Sequence, residues 1–195
     1  MEGKKGAGEP SRPCPFEYKS TLQNHCQFFD PDGDGIVWPQ NTFFGFRQLG
    51  FNWLMCFLSM LIIHATLSYP TVPNAILPDP FARIFMERVH RDKHGSDSGC
   101  YDNDGEFLEV KFDKYFERYS SRPEKDGLTV WDTVRAIWGQ RCSMDFYGIS
   151  SNVIEWMTTW MMFMPADGVL KKEDVRKVFD GSMFWKVAGK RGVKM

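Results

Sequence analysis

Three aspartates at alternate positions, Asp30, Asp32 and Asp34, open the twelve-residue stretch DPDGDGIVWPQN, residues 30–41. Carboxylates this close repel one another unless solvent or a cation neutralises them, and their spacing is that of positions 1, 3 and 5 of a calcium loop. Gly35 falls at position 6, where the chain must turn sharply. Ile36 offers a backbone carbonyl at position 7, and Val37 supplies an apolar residue at position 8. The predicted ligand set is therefore Asp30, Asp32, Asp34, Ile36 and Asn41, set against the alternative of an ordinary Asp/Gly turn. Two positions weaken the cage. Trp38, at position 9, has no oxygen and leaves that vertex to water. Asn41, at position 12, gives one neutral oxygen where a bidentate Glu is usual, so a reduced calcium affinity is expected.

The other residues able to do chemistry are four histidines and five cysteines. His25 lies five residues before Asp30, so a cation in the loop acts on its imidazole through little more than one helical turn. Taken alone, His25 reads as a capping or partly buried histidine, and His64 as a satisfied helix-end one. Cys14, Cys26, Cys56, Cys100 and Cys142 form no CxxC pair, which excludes a zinc knuckle and a disulfide framework. Pro13-Cys14-Pro15 resembles, in three residues, the haem-thiolate motif of secreted fungal peroxygenases. The rest of that motif is absent, and Cys14 reads as a solvated thiol. Asp102, Asp104 and Gly105 echo a calcium loop, but its position 12 would be Lys111, so this stretch is expected to be a turn into a short strand.

The elements that must position these groups read as mainly α. A tail, 1–18, precedes a helix from Thr21 to Phe29, the loop, and an exit helix from Phe43 to Phe51, giving an EF-hand region over 19–52. An apolar segment, 53–80, contains the run WLMCFLSMLII and then Pro70, Pro73, Pro78 and Pro80. The run is too short to span a bilayer, and the prolines are expected to stop the helix and bend the chain. A core helix followed by a loop and a shallow hairpin dipping into a lipid monolayer both fit this composition. The region 81–185 follows: a basic amphipathic stretch from Phe81 to His94, then helical patterns over Phe112 to Tyr119, Thr129 to Trp138, Ile149 to Phe163 and Lys171 to Phe179. Trp156, Trp160 and Phe163 mark one apolar face, expected to pack in the core. A basic tail, 186–195, closes the chain.

The chain has 195 residues, 24 basic and 25 acidic, so no overall field points to nucleic acid. A content of 43% hydrophobic and 15% aromatic residues excludes global disorder and exceeds what a core needs, which suggests a lipid or partner face. Lys4 and Lys5 are followed by no apolar run, so an intracellular, reducing setting is expected.

Taken together, DPDGDGIVWP, FRQLGFN, SYPTVP, KHGSDSGCYDNDG and GVLKKEDVRKVFDGS, spread from about Leu22 to Phe184, resemble the caleosin family and specifically its fungal members. LSYP with the prolines after it is similar to the family's proline knot. The resemblance implies a haem b peroxygenase that uses a fatty acid hydroperoxide to epoxidise or hydroxylate an unsaturated fatty acyl chain, at the surface of lipid droplets and the endoplasmic reticulum membrane. It also implies two histidines essential for haem, which map to His25 and His94, while His64 and His90 lie off the motif positions. Two tight axial histidines would block the oxidant, so one must act as a distal acid/base or leave. We expect His94 to be proximal and His25 distal or exchangeable. The rival readings are a non-enzymatic calcium-dependent tethering protein of lipid droplets and a soluble calcium sensor. Homo-oligomerisation stays open.

Overall fold

The computed structural model describes residues 16–73 and 76–191. The mainly helical architecture expected from sequence is the one found, with only two-residue strands. The chain builds two helix–loop–helix pairs, each held by a short antiparallel ladder between its loops.

In the first pair, α1 (Thr21–Cys26) begins at Ser20, whose hydroxyl accepts from Gln23 N at 3.3 Å while Gln23 Oε1 accepts from Ser20 N. This reciprocal cap satisfies donors that a helix start leaves free. A 3₁₀ turn, Gln27–Phe29, leads into the aspartate loop, and β1 (Ile36–Val37) into α2 (Pro39–Gln48), which starts on a proline, as a first helical turn tolerates. Asn52 caps α3 (Trp53–Thr71). The chain returns through β2 (Ile84–Phe85), pairing Ile36 with Phe85 and Val37 with Ile84, and a 3₁₀ helix over Met86–Asp92. α2 packs on α3, and both α1 and α3 pack on that 3₁₀ helix.

The second pair repeats the plan with α4 (Glu109–Tyr119), β3 (Gly127–Leu128), α5 (Val130–Gln140), α6 (Phe146–Phe163), β4 (Leu170–Lys171) and α7 (Lys172–Phe179). Leu128 faces Leu170 across its ladder. Its core holds Phe112, Phe116, Leu128, Trp156, Leu170 and Val175, with Trp160 and Phe163 packed against them. Tyr115 stacks on Trp156 at 5.9 Å. α8 (Ser182–Arg191) then crosses back, placing Met183 and Phe184 among Phe28, Phe46 and Leu49 of the first pair.

Three local expectations are corrected. The apolar run does not stop before the prolines: α3 is nineteen residues long and carries Pro70 in its last turn, where the lost amide hydrogen breaks one bond without ending the helix. By length and composition it could cross a membrane, and 22% of its most apolar window is buried. The stretch from Phe81 to His94 is a strand and a 3₁₀ helix rather than an amphipathic α-helix. The described part of the basic terminal segment, 186–191, is helical, and Arg191 donates to the carbonyls of Leu49 and Met162.

Candidate active site and cation loop

The loop gathers the three aspartates as the spacing requires. One oxygen from each of Asp30, Asp32 and Asp34 lies within 4.8 Å of the others. Asp30 is buried and accepts from Tyr18 Oη at 2.6 Å, Gly35 N at 2.8 Å and Gly33 N at 3.0 Å; Asp34 accepts from Ile36 N at 2.8 Å. Burial pushes the Asp30 carboxyl up to about 6, opposed by the Tyr18 and Gly35 donors and reinforced by Asp32 and Asp34. A cation would relieve that repulsion, so the donor set fits a hard ion. Gly35 has φ +82°, and a Cβ there would stand 2.4 Å from Phe16, so only glycine serves. Asn41 lies within the first turn of α2, its amide bonded to Trp38 O. The Asp102 stretch, by contrast, turns on itself: Asp102 Oδ1 accepts from Asp104 N and Glu106 N, and a single bridge joins Tyr101 to Phe107 before α4.

His25 sits at the end of α1, its ring edge-on to Phe184 at 5.0 Å. Nδ1 lies 2.6 Å from Val178 O. A carbonyl only accepts, so Nδ1 carries the proton and Nε2 keeps its lone pair. Burial holds the ring's pKa below its ordinary value, partly offset by the Val178 carbonyl and by Glu155 and Asp180. His25 is thus a neutral imidazole with one ligating nitrogen.

His94 follows the 3₁₀ helix, and its side chain is 8% exposed. Its ring is edge-on to Tyr147 at 5.8 Å, and Nε2 lies 3.8 Å from Glu155 Oε1. Burial works against the charged ring, but Glu155 outweighs it, with Asp97 and Asp145 adding, so the pKa is raised. The KHGSDSG string is clamped to the start of α6. Ser96 donates to Asp145 Oδ2 through both N, at 2.8 Å, and Oγ, at 2.7 Å. Asn152 Nδ2 donates to Ser96 O at 2.5 Å, and Cys142 N to Ser96 Oγ at 3.0 Å.

His25 and His94, far apart in sequence, both lie within the electrostatic reach of one carboxylate. Glu155 acts on both rings. Cys26, beside His25, and Tyr147, beside His94, both feel Asp92. That carboxyl is pushed up to about 8 by burial alone, and neither of its oxygens has a hydrogen-bond partner. His94 Nδ1 and the hydroxyls of Tyr115 and Tyr119 are also buried and unpartnered. Buried polar atoms ordinarily find partners, so the Asp92 oxygens and His94 Nδ1, two residues apart in the chain and left without any, fit a place for a further group. A half-buried imidazole whose Nδ1 is the protonated nitrogen offers Nε2 as the kind of ligand a haem iron takes. His64 is not part of it: Nδ1–H donates to Ala82 O at 2.6 Å and Nε2 accepts from Thr42 Oγ1 at 2.8 Å. Cys14 lies outside the described residues.

Sequence reasoning missed Tyr18, Asp92, Asp145, Tyr147 and Glu155. Glu155 left a signal, as the one charge within the otherwise uncharged α6, and so did Asp145, an acid immediately before an apolar helix. Tyr18 and Asp92 left none, because their roles depend on contacts that no spacing rule encodes.

The fold and the site define a mainly helical protein with an acidic loop able to hold a metal ion and two partly buried histidines. Comparison with known proteins places it. The family described as "Caleosin related protein" matches residues 17–188. The chain is 39% identical over 165 residues to a peroxygenase of Lilium longiflorum, covering 85% of this chain and 68% of that one. It is 34% identical over 178 residues to "Probable peroxygenase 4" of Arabidopsis thaliana, covering 91% and 90%. A "Probable inactive peroxygenase-like protein" of Arabidopsis thaliana is 32% identical over 151 residues, covering 75% and 69%. No solved structure matches. The chain belongs to the caleosin family.

Proposed function

We propose that this protein is a calcium-binding, haem-dependent peroxygenase that moves oxygen from a fatty acid hydroperoxide to an unsaturated acyl chain. The observation that carries the reading is the His25 Nδ1–H bond to Val178 O, which leaves Nε2 as the nitrogen able to ligate. The residues divide the work in the reverse of the sequence expectation. His25 holds the haem iron, because its tautomer is fixed by a backbone acceptor. His94, beside Glu155, takes and returns the hydroperoxide proton. Bound haem would supply the redox chemistry of O–O cleavage and oxygen transfer. Asp30, Asp32 and Asp34, completed by the Ile36 carbonyl and Asn41, hold calcium in an EF-hand-type loop.

The exposed face of α3 supports association with a lipid monolayer or membrane surface, as at a lipid droplet or the endoplasmic reticulum. Leu54, Phe57, Leu58, Leu61 and Ile62 are all exposed along one stripe. The relative named as inactive keeps a second reading alive, a lipid-bound calcium protein without turnover.

The test is a pyridine haemochrome assay joined to turnover of a hydroperoxide with an unsaturated fatty acid. About one haem per chain and a Soret band are expected. His25→Ala should lose most of the haem. His94→Ala should keep it and lose about a hundredfold or more in turnover. A colourless protein would leave the non-enzymatic reading, and haem lost from His94→Ala alone would restore the opposite division of roles.

A further inference from the structure

α5 turns toward solvent a face that the fold leaves uncovered. Val130, Val134 and Trp138 recur at four-residue spacing with Trp131 beside them; Trp131 is 77% and Trp138 65% exposed. The buried side of the same helix carries Asp132, Thr133 and Ala136. A surface helix ordinarily turns its apolar side inward, so an outward apolar stripe marks a surface made for something other than water. The exposed charges beside it are positive. Arg135 lies on α5, Arg141 follows it and stands over the Trp138 ring at 4.0 Å, and Arg118 faces them from α4. The one acid of α5, Asp132, is buried in its cap. Among the described residues Arg118 and Arg141 form no ion pair, and Arg135 has only Asp132, at 3.5 Å. Arg118 and Arg135 line an open groove of about 450 Å³ between α4 and α5, walled by Val134 and Trp138. Tyr119 lines it too. A Cβ on Gly139, in the same groove, would stand 2.6 Å from the Tyr119 hydroxyl, which is buried and has no hydrogen-bond partner. A buried hydroxyl ordinarily has a partner, so this one calls for a polar group arriving from outside the chain.

We propose that α5 is a second lipid contact: its tryptophan face lies on a phospholipid surface rich in anionic head groups, and the groove between Arg118 and Arg135 takes one head-group phosphate. Tryptophan settles at the boundary between acyl chains and water, where its ring is apolar and its N–H still finds an acceptor. The planar guanidinium of arginine meets a phosphate through paired N–H donors. Exposed apolar residues continue along the chain from α5 toward the stripe on α3. Met144 and Phe146 follow at the start of α6, and Thr66 of α3, one turn beyond Leu61 and Ile62, acts on the hydroxyl of the next residue, Tyr147. α3 itself carries no charged residue, so alone it would attach without regard to the charge of the surface. The arginines beside α5 add that discrimination. The proposal rests on the reading of α3 as a lipid-facing helix.

The test is flotation of the full chain with vesicles of phosphatidylcholine alone and of phosphatidylcholine mixed with phosphatidylserine. An arginine at an anionic surface is worth about fivefold in affinity, so the unaltered protein should prefer the mixed vesicles by about a hundredfold. The preference should shrink as salt rises from about 0.1 M to about 0.5 M. Arg118→Gln, Arg135→Gln and Arg141→Gln together should bring the two vesicles within about fivefold of each other and leave binding to the neutral ones unchanged. Trp131→Ser with Trp138→Ser should weaken binding to both by about tenfold or more. Tyr119→Phe, which removes only the unpartnered hydroxyl, should weaken binding to the mixed vesicles by about threefold. Thermal melts that match the parent's establish that these variants fold. A preference that survives the three arginine changes, or tryptophan variants that bind as the parent does, overturns the proposal. A parent that dimerises in sedimentation, with Trp138→Ser monomeric, also overturns it and makes the face an interface between copies of this chain. Arginine-dependent binding to mixed vesicles that ignores Leu61→Asp would sink the reading of α3 and leave α5 as the lipid contact. Binding that needs Leu61 and ignores the arginines and tryptophans would do the opposite.

Discussion

At the scale of single residues, Asp132 and Asp92 show what hydrogen-bond donors do for a carboxylate held away from water. Asp132, at 1% exposure, accepts from Thr129 N at 3.0 Å and Ser121 Oγ at 2.9 Å within a capping box at the start of α5. Burial raises its pKa, but the Thr129 and Ser121 donors outweigh it, and the pKa is lowered below 3.8. Because the folded pKa lies below the unfolded one, the carboxylate stabilises the fold above about pH 4 and loses that contribution as pH falls through the folded value. Asp132→Asn should cost about 1–2 kcal/mol at neutral pH, and its melting temperature should fall less steeply than the parent's below pH 4. Parallel acid-melting curves would contradict this. Asp92 is the opposite case, a carboxyl with no donor at all. The aspartate loop was legible because its geometry depends on neighbours in sequence. The Tyr18 bond to Asp30 was not, since Tyr18 precedes its partner by a whole helix.

At the scale of elements, α3 is turned inside out relative to an ordinary surface helix. Its outward stripe is apolar, while its buried positions include His64, Ser68 and Thr71. The reason is what they hold. Ser68 donates to Arg83 O at 2.8 Å, Phe85 N donates to Thr71 Oγ1 at 3.1 Å, and His64 donates to Ala82 O, so the polar face satisfies the backbone of the chain returning toward β2. The two faces predict opposite results from two substitutions. Leu61→Asp, on the exposed side, should leave stability within about 0.5 kcal/mol and cut binding to phospholipid vesicles more than tenfold. His64→Ala should strip partners from Thr42 and Ala82, cost about 1–3 kcal/mol and leave vesicle binding per folded molecule unchanged. Flotation and thermal melts on both variants decide the matter. Composition identified this segment as apolar but misjudged its length. A proline read as a stop fits in a final turn, and the polar contacts that extend the helix come from residues more than ten positions further along the chain.

At the scale of the whole molecule, α1 joins the two halves: it leads into the aspartate loop, packs on the 3₁₀ helix that leads to His94, and through His25 bonds to α7 of the second pair. A cation that fixes Asp30, Asp32 and Asp34 also fixes the helix carrying His25, a few residues upstream. If His25 holds the haem, ordering this ring in advance lowers the cost of binding, so saturating calcium should raise haem affinity by about fivefold or more. Linkage then requires haem to raise calcium affinity by the same factor, whichever group is added first. Calorimetric calcium titrations with and without haem, set beside haem titrations with and without calcium, measure both legs of that cycle. Asp30→Asn should remove the coupling. Asn41→Glu, which restores a bidentate group at the end of the loop, should tighten calcium binding about tenfold or more and bring the coupling into a lower calcium range. Calcium binding that leaves haem affinity untouched would mean that the loop steadies the first helix pair for some purpose other than the site around His25.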